Sequence, residues 1–113
     1  MHEMALAESV LGLIEDARRR QGFARVRAVR LEIGALAGVE VEALRSCLAI
    51  VFERSVARAA RIECAIAPGS GYCLDCGQTV AMDALYAACP RCAGPHVQAT
   101  HGMQMRVRDL MVE

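Results

Sequence analysis

The chain contains 113 residues, 55% of them hydrophobic and 23% charged, and its 13 basic residues (all arginine) balance 13 acidic ones. This length suits one domain, or one domain with a small appendage, and so apolar a composition excludes intrinsic disorder. The net charge of zero argues against a nucleic-acid-binding protein, because such proteins need excess cations to displace counterions from phosphates.

Neither a membrane-spanning segment nor a secretory leader is predicted. A spanning helix needs ~20 apolar residues, and charged residues interrupt every apolar stretch before that length. Glu3 and Glu8 lie where a leader peptide would carry basic residues. We therefore expect a cytoplasmic protein whose reduced cysteines are metal ligands or core residues rather than disulfides.

The first half of the chain predicts two helices separated by a strand. Residues 4–21 have apolar side chains at helical spacing, and three arginines followed by Gly22 favour a helix end there. Residues 25–33 alternate between apolar and charged side chains, which predicts a strand with one solvent-exposed face. Helical spacing returns from about residue 39 to residue 58.

Two further strands complete the predicted sheet. Residues 61–67 alternate again, with Ile62, Cys64 and Ile66 expected on the inward face, and residues 103–108 alternate likewise. The order strand, helix, strand favours a parallel crossover. Between the last two strands, Pro-Gly-Ser-Gly at 68–71 breaks the pattern and a cysteine-rich segment follows.

That segment contains two cysteine pairs with metal-ligand spacing. Cys73 and Cys76 form the first pair, and Cys89 and Cys92 follow after twelve residues. Two residues between cysteines let a tight turn aim both sulfurs at one point, and two such turns complete a tetrahedron suited to zinc. Four ligands close the site, so the zinc should be structural rather than catalytic.

Other roles for these cysteines are less well supported. A thioredoxin-like redox pair needs only one such motif, and two disulfides need an oxidising compartment. His96 could compete as a zinc ligand, although a histidine so placed is more often exposed. Cys47 and Cys64 fall on apolar faces and are interpreted as small core residues.

The predicted fold is α+β, with two helices packed on a small three-stranded mixed sheet and an inserted four-cysteine zinc-ribbon module. Residues 1–69 and 96–113 would form one discontinuous domain, and residues 70–95 the zinc-binding domain. Hinges at 68–71 and 94–95 would permit strand exchange between copies, which leaves a homodimer as an open alternative.

The amino terminus carries a second candidate metal site. A terminal histidine is usually solvated. However, the Met1 amine, the backbone nitrogen of His2 and its imidazole can all reach one metal ion, and nitrogen donors in a plane suit Ni(II) or Cu(II). Glu3 would add an oxygen ligand or orient the imidazole.

Taken together, Met1-His2-Glu3, then Leu31-Glu32-Ile33-Gly34, then the paired cysteines make the whole chain resemble the HypA/HybF family of hydrogenase nickel-incorporation proteins. The resemblance implies a nickel metallochaperone, with His2 as nickel ligand, Met1 and Glu3 as helpers, and Glu40 in the nickel region. It also implies zinc at the four cysteines already named.

The resemblance further implies partners. These are a HypB-type GTPase and the large subunit of [NiFe]-hydrogenase, while some family members also serve urease maturation. The chain would then not be an enzyme, and its scattered histidines and lack of a phosphate-binding loop agree with that. The competing hypothesis is a zinc-ribbon module that binds protein or nucleic acid and transfers no metal.

Overall fold

The computed structural model describes residues 3–113, so the predicted ligands Met1 and His2 lie outside the described residues. The elements in chain order are α1 (Glu3–Gln21), β1 (Val26–Gly34), α2 (Val41–Phe52), β2 (Arg61–Ala67), β3 (Gly69–Cys73), β4 (Thr79–Met82), β5 (Val97–His101) and β6 (Met105–Val112). Neither α1 nor α2 combines the length and the hydrophobicity that crossing a membrane requires.

The predicted α+β class and the mixed sheet are confirmed. One sheet has the strand order β2-β1-β6. Ala35, just after β1, donates its N–H to the carbonyl of Ala67 at the end of β2, so these two strands end at the same edge and run parallel. Arg25, just before β1, exchanges both backbone hydrogen bonds with Glu113, beyond the end of β6, so β1 and β6 are antiparallel.

A second three-stranded sheet, with the order β4-β3-β5, was not predicted. Both pairings in it are antiparallel. The segment expected to break the chain at 68–71 instead begins β3 at Gly69. Its glycines are required for close packing: a Cβ on Gly69 would lie 2.6 Å from Cγ of Leu36, and one on Gly71 would collide with the sulfur of Met82. Glycine here therefore marks a crowded strand rather than a hinge.

The chain forms two compact units. The first contains the segment ending at Leu31 together with Val39–Cys64 and Val107–Glu113, and the second contains Glu32–Gly38 and Ala65–Arg106. The predicted zinc-binding segment, 70–95, lies inside the second unit. Its proposed limits as a domain remain a prediction.

The first unit has a core built from both helices and β1. The helices pack against each other and bury side chains three or four positions apart, as an amphipathic helix does. Its buried side chains include Ala7, Val10 and Ile14 of α1, Leu44, Leu48 and Phe52 of α2, and Val26, Ala28, Val29 and Leu31 of β1.

Three sequence predictions about element limits and faces were wrong. Helix α2 ends at Phe52 rather than near residue 58, because the Ser55 hydroxyl donates to the Phe52 carbonyl at 2.9 Å and accepts from the Ala57 N–H at 3.0 Å. Ile66 is 56% exposed rather than inward, and none of the residues of β2 is buried. The last strand runs from Met105 to Val112 rather than over 103–108.

Candidate metal centre

The four paired cysteines converge in the second unit. The sulfurs of Cys73, Cys76, Cys89 and Cys92 all lie within 4.8 Å of one another. The Cys73 and Cys92 sulfurs are 3.6 Å apart, and those of Cys76 and Cys89 are 3.9 Å apart. Tetrahedral zinc with bonds of ~2.3 Å separates its sulfurs by ~3.8 Å. The cluster therefore has the dimensions of a zinc site with four cysteine ligands.

Two equivalent turns place these sulfurs. In the first, the Cys73 N–H donates to the carbonyl of Gln78 at 2.9 Å, and the Gly77 N–H donates to the carbonyl of Cys73 at 2.8 Å. In the second, Cys89 donates to Gly94 at 2.9 Å and Ala93 donates to Cys89 at 2.8 Å. The same pair of hydrogen bonds thus closes both loops.

The residue after each second cysteine has a left-handed backbone. Gly77 has φ of 71° and Ala93 has φ of 62°. Glycine adopts this conformation without a steric penalty, whereas the Cβ of alanine makes it unfavourable. The second turn therefore stores strain that the first avoids, and the geometry of the centre is the reason that strain persists.

Backbone N–H groups point at the sulfurs and favour their ionised form. The N–H groups of Cys92 and Arg91 lie 3.5 and 3.4 Å from the Cys89 sulfur. These hydrogen bonds lower the pKa of Cys89 to about 7, and the one from the Cys92 N–H has the largest effect. Burial and the neighbouring Cys73 thiol raise the pKa of Cys76. Four thiols this close cannot all ionise without a cation, and a bound dication would deprotonate them outright.

A contact between Asp75 and His96 connects the first cysteine turn to the segment that follows the second. Both carboxylate oxygens of Asp75, inside the first cysteine pair, lie 3.1 Å from Nδ1 of His96. The Leu74 N–H donates to the His96 carbonyl at 2.9 Å. Gly94 packs so closely on Asp75 that a Cβ would collide with the carboxylate. His96, considered as a competing ligand, is thus held by Asp75, and the clustered donors are the four sulfurs.

Cys47 and Cys64 do not join this cluster and are half-buried rather than core residues. Burial raises the pKa of the Cys64 thiol, an effect that the nearby Arg45 guanidinium opposes. Cys64 is therefore not poised as a nucleophile, because a reactive cysteine has a lowered pKa.

Glu3, at the start of α1, contacts the start of α2. Its Oε2 accepts a hydrogen bond from the backbone N–H of Glu40 at 3.1 Å. The Glu40 carboxylate in turn caps α2, accepting from the N–H groups of Glu42 at 3.3 Å and Ala43 at 2.7 Å. Two of the residues that the sequence suggested for the nickel region are therefore neighbours, although 37 positions separate them.

The Asp75–His96 contact and the backbone hydrogen bonds to sulfur were not predicted from the sequence. Asp75 lies between two predicted ligands, and such an outer carboxylate commonly holds a metal-site histidine. The position of Asp75 between Cys73 and Cys76 was therefore the only sequence signal that this residue contributes to the metal centre. The distance from Asp75 to His96 along the chain gave no reason to pair them.

Comparison with known proteins gives concordant results. The family model described as hydrogenase/urease nickel incorporation, metallochaperone, hypA matches residues 1–112. A hydrogenase maturation factor HypA from Dechloromonas aromatica is 48% identical over 113 residues and covers both chains completely. One from Azoarcus is 51% identical over 110 residues, covering 97% of this chain and 96% of its own.

The fold also matches a solved structure. The solution structure of the Ni metallochaperone HypA from Helicobacter pylori superposes with a TM-score of 0.72, covering 99% of this chain and 97% of its own. Sequence identity in that comparison is 24%.

Proposed function

Because the chain belongs to the HypA family of hydrogenase and urease nickel-incorporation metallochaperones, we propose that it binds Ni(II) at its amino terminus. The ligands would be the Met1 amine and the backbone and imidazole nitrogens of His2. It would deliver the ion to the large subunit of [NiFe]-hydrogenase, in the cytoplasm, with a HypB-type GTPase as partner. It would thus transfer a metal rather than catalyse a reaction, and urease maturation proteins are a second class of recipient.

The contact between Glu3 and Glu40 is the structural observation that carries this proposal. Glu3 immediately follows His2 in the chain, and its hydrogen bond to the Glu40 N–H ties the start of α1 to the start of α2. A donor set of consecutive residues needs such an anchor to hold a preferred geometry around the ion. We propose that Glu3 supplies this anchor and assists nickel binding.

Glu40 would support the nickel site through its backbone rather than its carboxylate. Both carboxylate oxygens already accept hydrogen bonds from the first turn of α2. Ligation of nickel by that carboxylate would leave two helical N–H groups without their cap. We therefore assign Glu40 the role of positioning Glu3.

The cluster of four cysteines would hold a resident zinc ion. Its sulfur spacing, its closed donor set and the N–H groups directed at the sulfurs all support this assignment. Zinc supplies no redox chemistry and would act by fixing the two turns. The ion would remain bound while nickel exchanges.

Metal analysis after equilibrium dialysis tests the proposal. Protein loaded with both metals should retain tightly held zinc and one exchangeable nickel ion per chain. His2→Ala should lose nickel and keep its zinc, whereas the matched control His101→Ala, in β5, should keep both. Full nickel affinity in His2→Ala would refute the nickel site. If the unaltered chain binds zinc but no exchangeable nickel, the competing hypothesis, a zinc-ribbon module that transfers no metal, would be favoured.

A further inference from the structure

An arginine-lined groove lies in the first unit, and none of its lining residues is a predicted metal ligand. Its larger part is a cavity of about 560 Å³ lined by five arginines and a single carboxylate, that of Glu15. A second cavity of about 340 Å³ shares Arg25 and Ala59 with the first, so the two are neighbours. The arginines of the larger part are Arg18, Arg19, Arg25, Arg54 and Arg58.

The cationic side chains of this groove are only partly neutralised. Among the described residues, no carboxylate lies within ion-pair distance of Arg54 or Arg58. Arg18 donates through Nε to the Phe23 carbonyl at 3.3 Å, which leaves its charge uncompensated. In a chain whose net charge is zero, such a local surplus of cations marks a site for an anion.

One end of the groove already holds a carboxylate. The Glu113 side chain lies between Arg25 and Arg27, with nitrogen–oxygen distances of 2.9 and 3.3 Å. The Glu113 backbone is fixed there as well, by two hydrogen bonds shared with Arg25. Arg25 and Arg27 thus already bind a carboxylate that belongs to an extended segment of polypeptide, directly after β6.

From these observations we propose that the groove docks an acidic segment of a partner protein. Glu113 occupies one end, and carboxylates of the partner would pair with Arg18, Arg54 and Arg58 in the larger cavity. The guanidinium fork matches a carboxylate in two-point geometry. Two neighbouring cavities suit an extended acidic chain better than a single compact anion. The described lining also contains no aromatic side chain on which a nucleotide base would stack.

Fluorescence anisotropy of a labelled octaglutamate peptide with the full-length, zinc-loaded protein tests this inference. The double variant Arg54→Gln/Arg58→Gln should bind the peptide about tenfold more weakly, since two exposed pairs are each worth up to ~1 kcal/mol. The matched control Arg20→Gln/Arg108→Gln removes the same charge from exposed arginines of the first unit that do not line either cavity. It should weaken binding by less than about threefold at ~0.1 M salt, because these side chains do not line the groove and salt screens exposed charges that make no direct contact.

A gain-of-binding variant sharpens the test. Glu113→Gln removes the resident carboxylate from Arg25 and Arg27, so peptide affinity should rise about two- to threefold. Circular dichroism and zinc content should match those of the unaltered protein. Failure of the unaltered protein to bind octaglutamate, or equal losses in both double variants, would overturn the proposal. Tighter binding of pyrophosphate than of octaglutamate would identify a phosphate site instead.

Discussion

The cysteine centre and the proposed nickel site hold their donors in opposite ways. The four sulfurs come from two equivalent turns, each closed by the same backbone hydrogen bonds. The nickel donors would be unlike groups on consecutive residues, anchored where Glu3 meets Glu40. A closed set of identical donors retains its metal, whereas a short linear set can release its donors one at a time. The difference suits one site to permanence and the other to exchange.

Removing one sulfur should break the permanent site completely. We expect Cys73→Ala to lose zinc and the ordered packing of β3, β4 and β5, because structural zinc in small modules contributes ~10–16 kcal/mol at neutral pH. Zinc analysis and amide chemical shifts of the second unit measure this loss. Cys64→Ala, which removes a half-buried thiol outside the cluster, is the control and should keep full zinc content. A fully zinc-loaded Cys73→Ala protein would contradict the assignment.

Acid should weaken nickel binding, because the proposed nickel donors are groups that take up protons below about pH 8. An amine with a pKa of ~7.7–8, an imidazole with one of ~6.5 and the His2 backbone amide must all lose protons to bind nickel. Nickel affinity should therefore fall by more than about 100-fold between about pH 8 and pH 6, since the amine and imidazole alone account for that much. Calorimetric titration at several pH values measures the fall. A flat profile would exclude the amine as a ligand.

Substitutions of Glu40, the residue that caps α2, test whether its carboxylate caps the helix or binds nickel, and their expected effect is smaller. Glu40→Ala should lower the free energy of unfolding by about 1 kcal/mol, since two N–H groups lose their acceptor. Glu40→Asn restores a good capping residue and should recover most of that stability, with nickel affinity unchanged within about twofold. Thermal unfolding and nickel titration measure the two effects. Lost nickel affinity in a stable Glu40→Asn protein would make the carboxylate a ligand.

The two cysteine turns can be compared directly through their left-handed residues. Ala93→Gly should relieve strain and stabilise the zinc-loaded unit by up to ~1 kcal/mol, whereas Gly77→Ala should destabilise it by a similar amount. Rates of zinc removal by a chelator measure both changes. Opposite signs are expected, and equal effects of the same sign would show that φ does not govern these positions.

Local patterns predicted most of the fold. Helix α1 and strand β1 followed from periodicity because one face of each meets water and the other a core. The cysteine cluster followed from spacing, because two residues between cysteines constrain a turn whatever surrounds it. Each of these signals is contained within a few neighbouring residues.

Features set by distant contacts escaped prediction. The β4-β3-β5 sheet has strands of four or five residues, and Gly-Ser-Gly in β3 imitates a loop until its neighbours are known. The arginine groove and the Asp75–His96 contact combine residues far apart in sequence. One local feature also escaped prediction: α2 ends early where the Ser55 hydroxyl donates to the Phe52 carbonyl, a competition that hydrophobic spacing does not record.

X-ray absorption at the nickel and zinc edges of protein loaded with both metals tests the central claim most directly. We expect a nickel shell of nitrogen and oxygen with imidazole scattering, and a zinc shell of four sulfurs that nickel loading leaves unchanged. Sulfur in the nickel shell, or zinc displaced from its cysteines by nickel, would contradict the separation of the two sites.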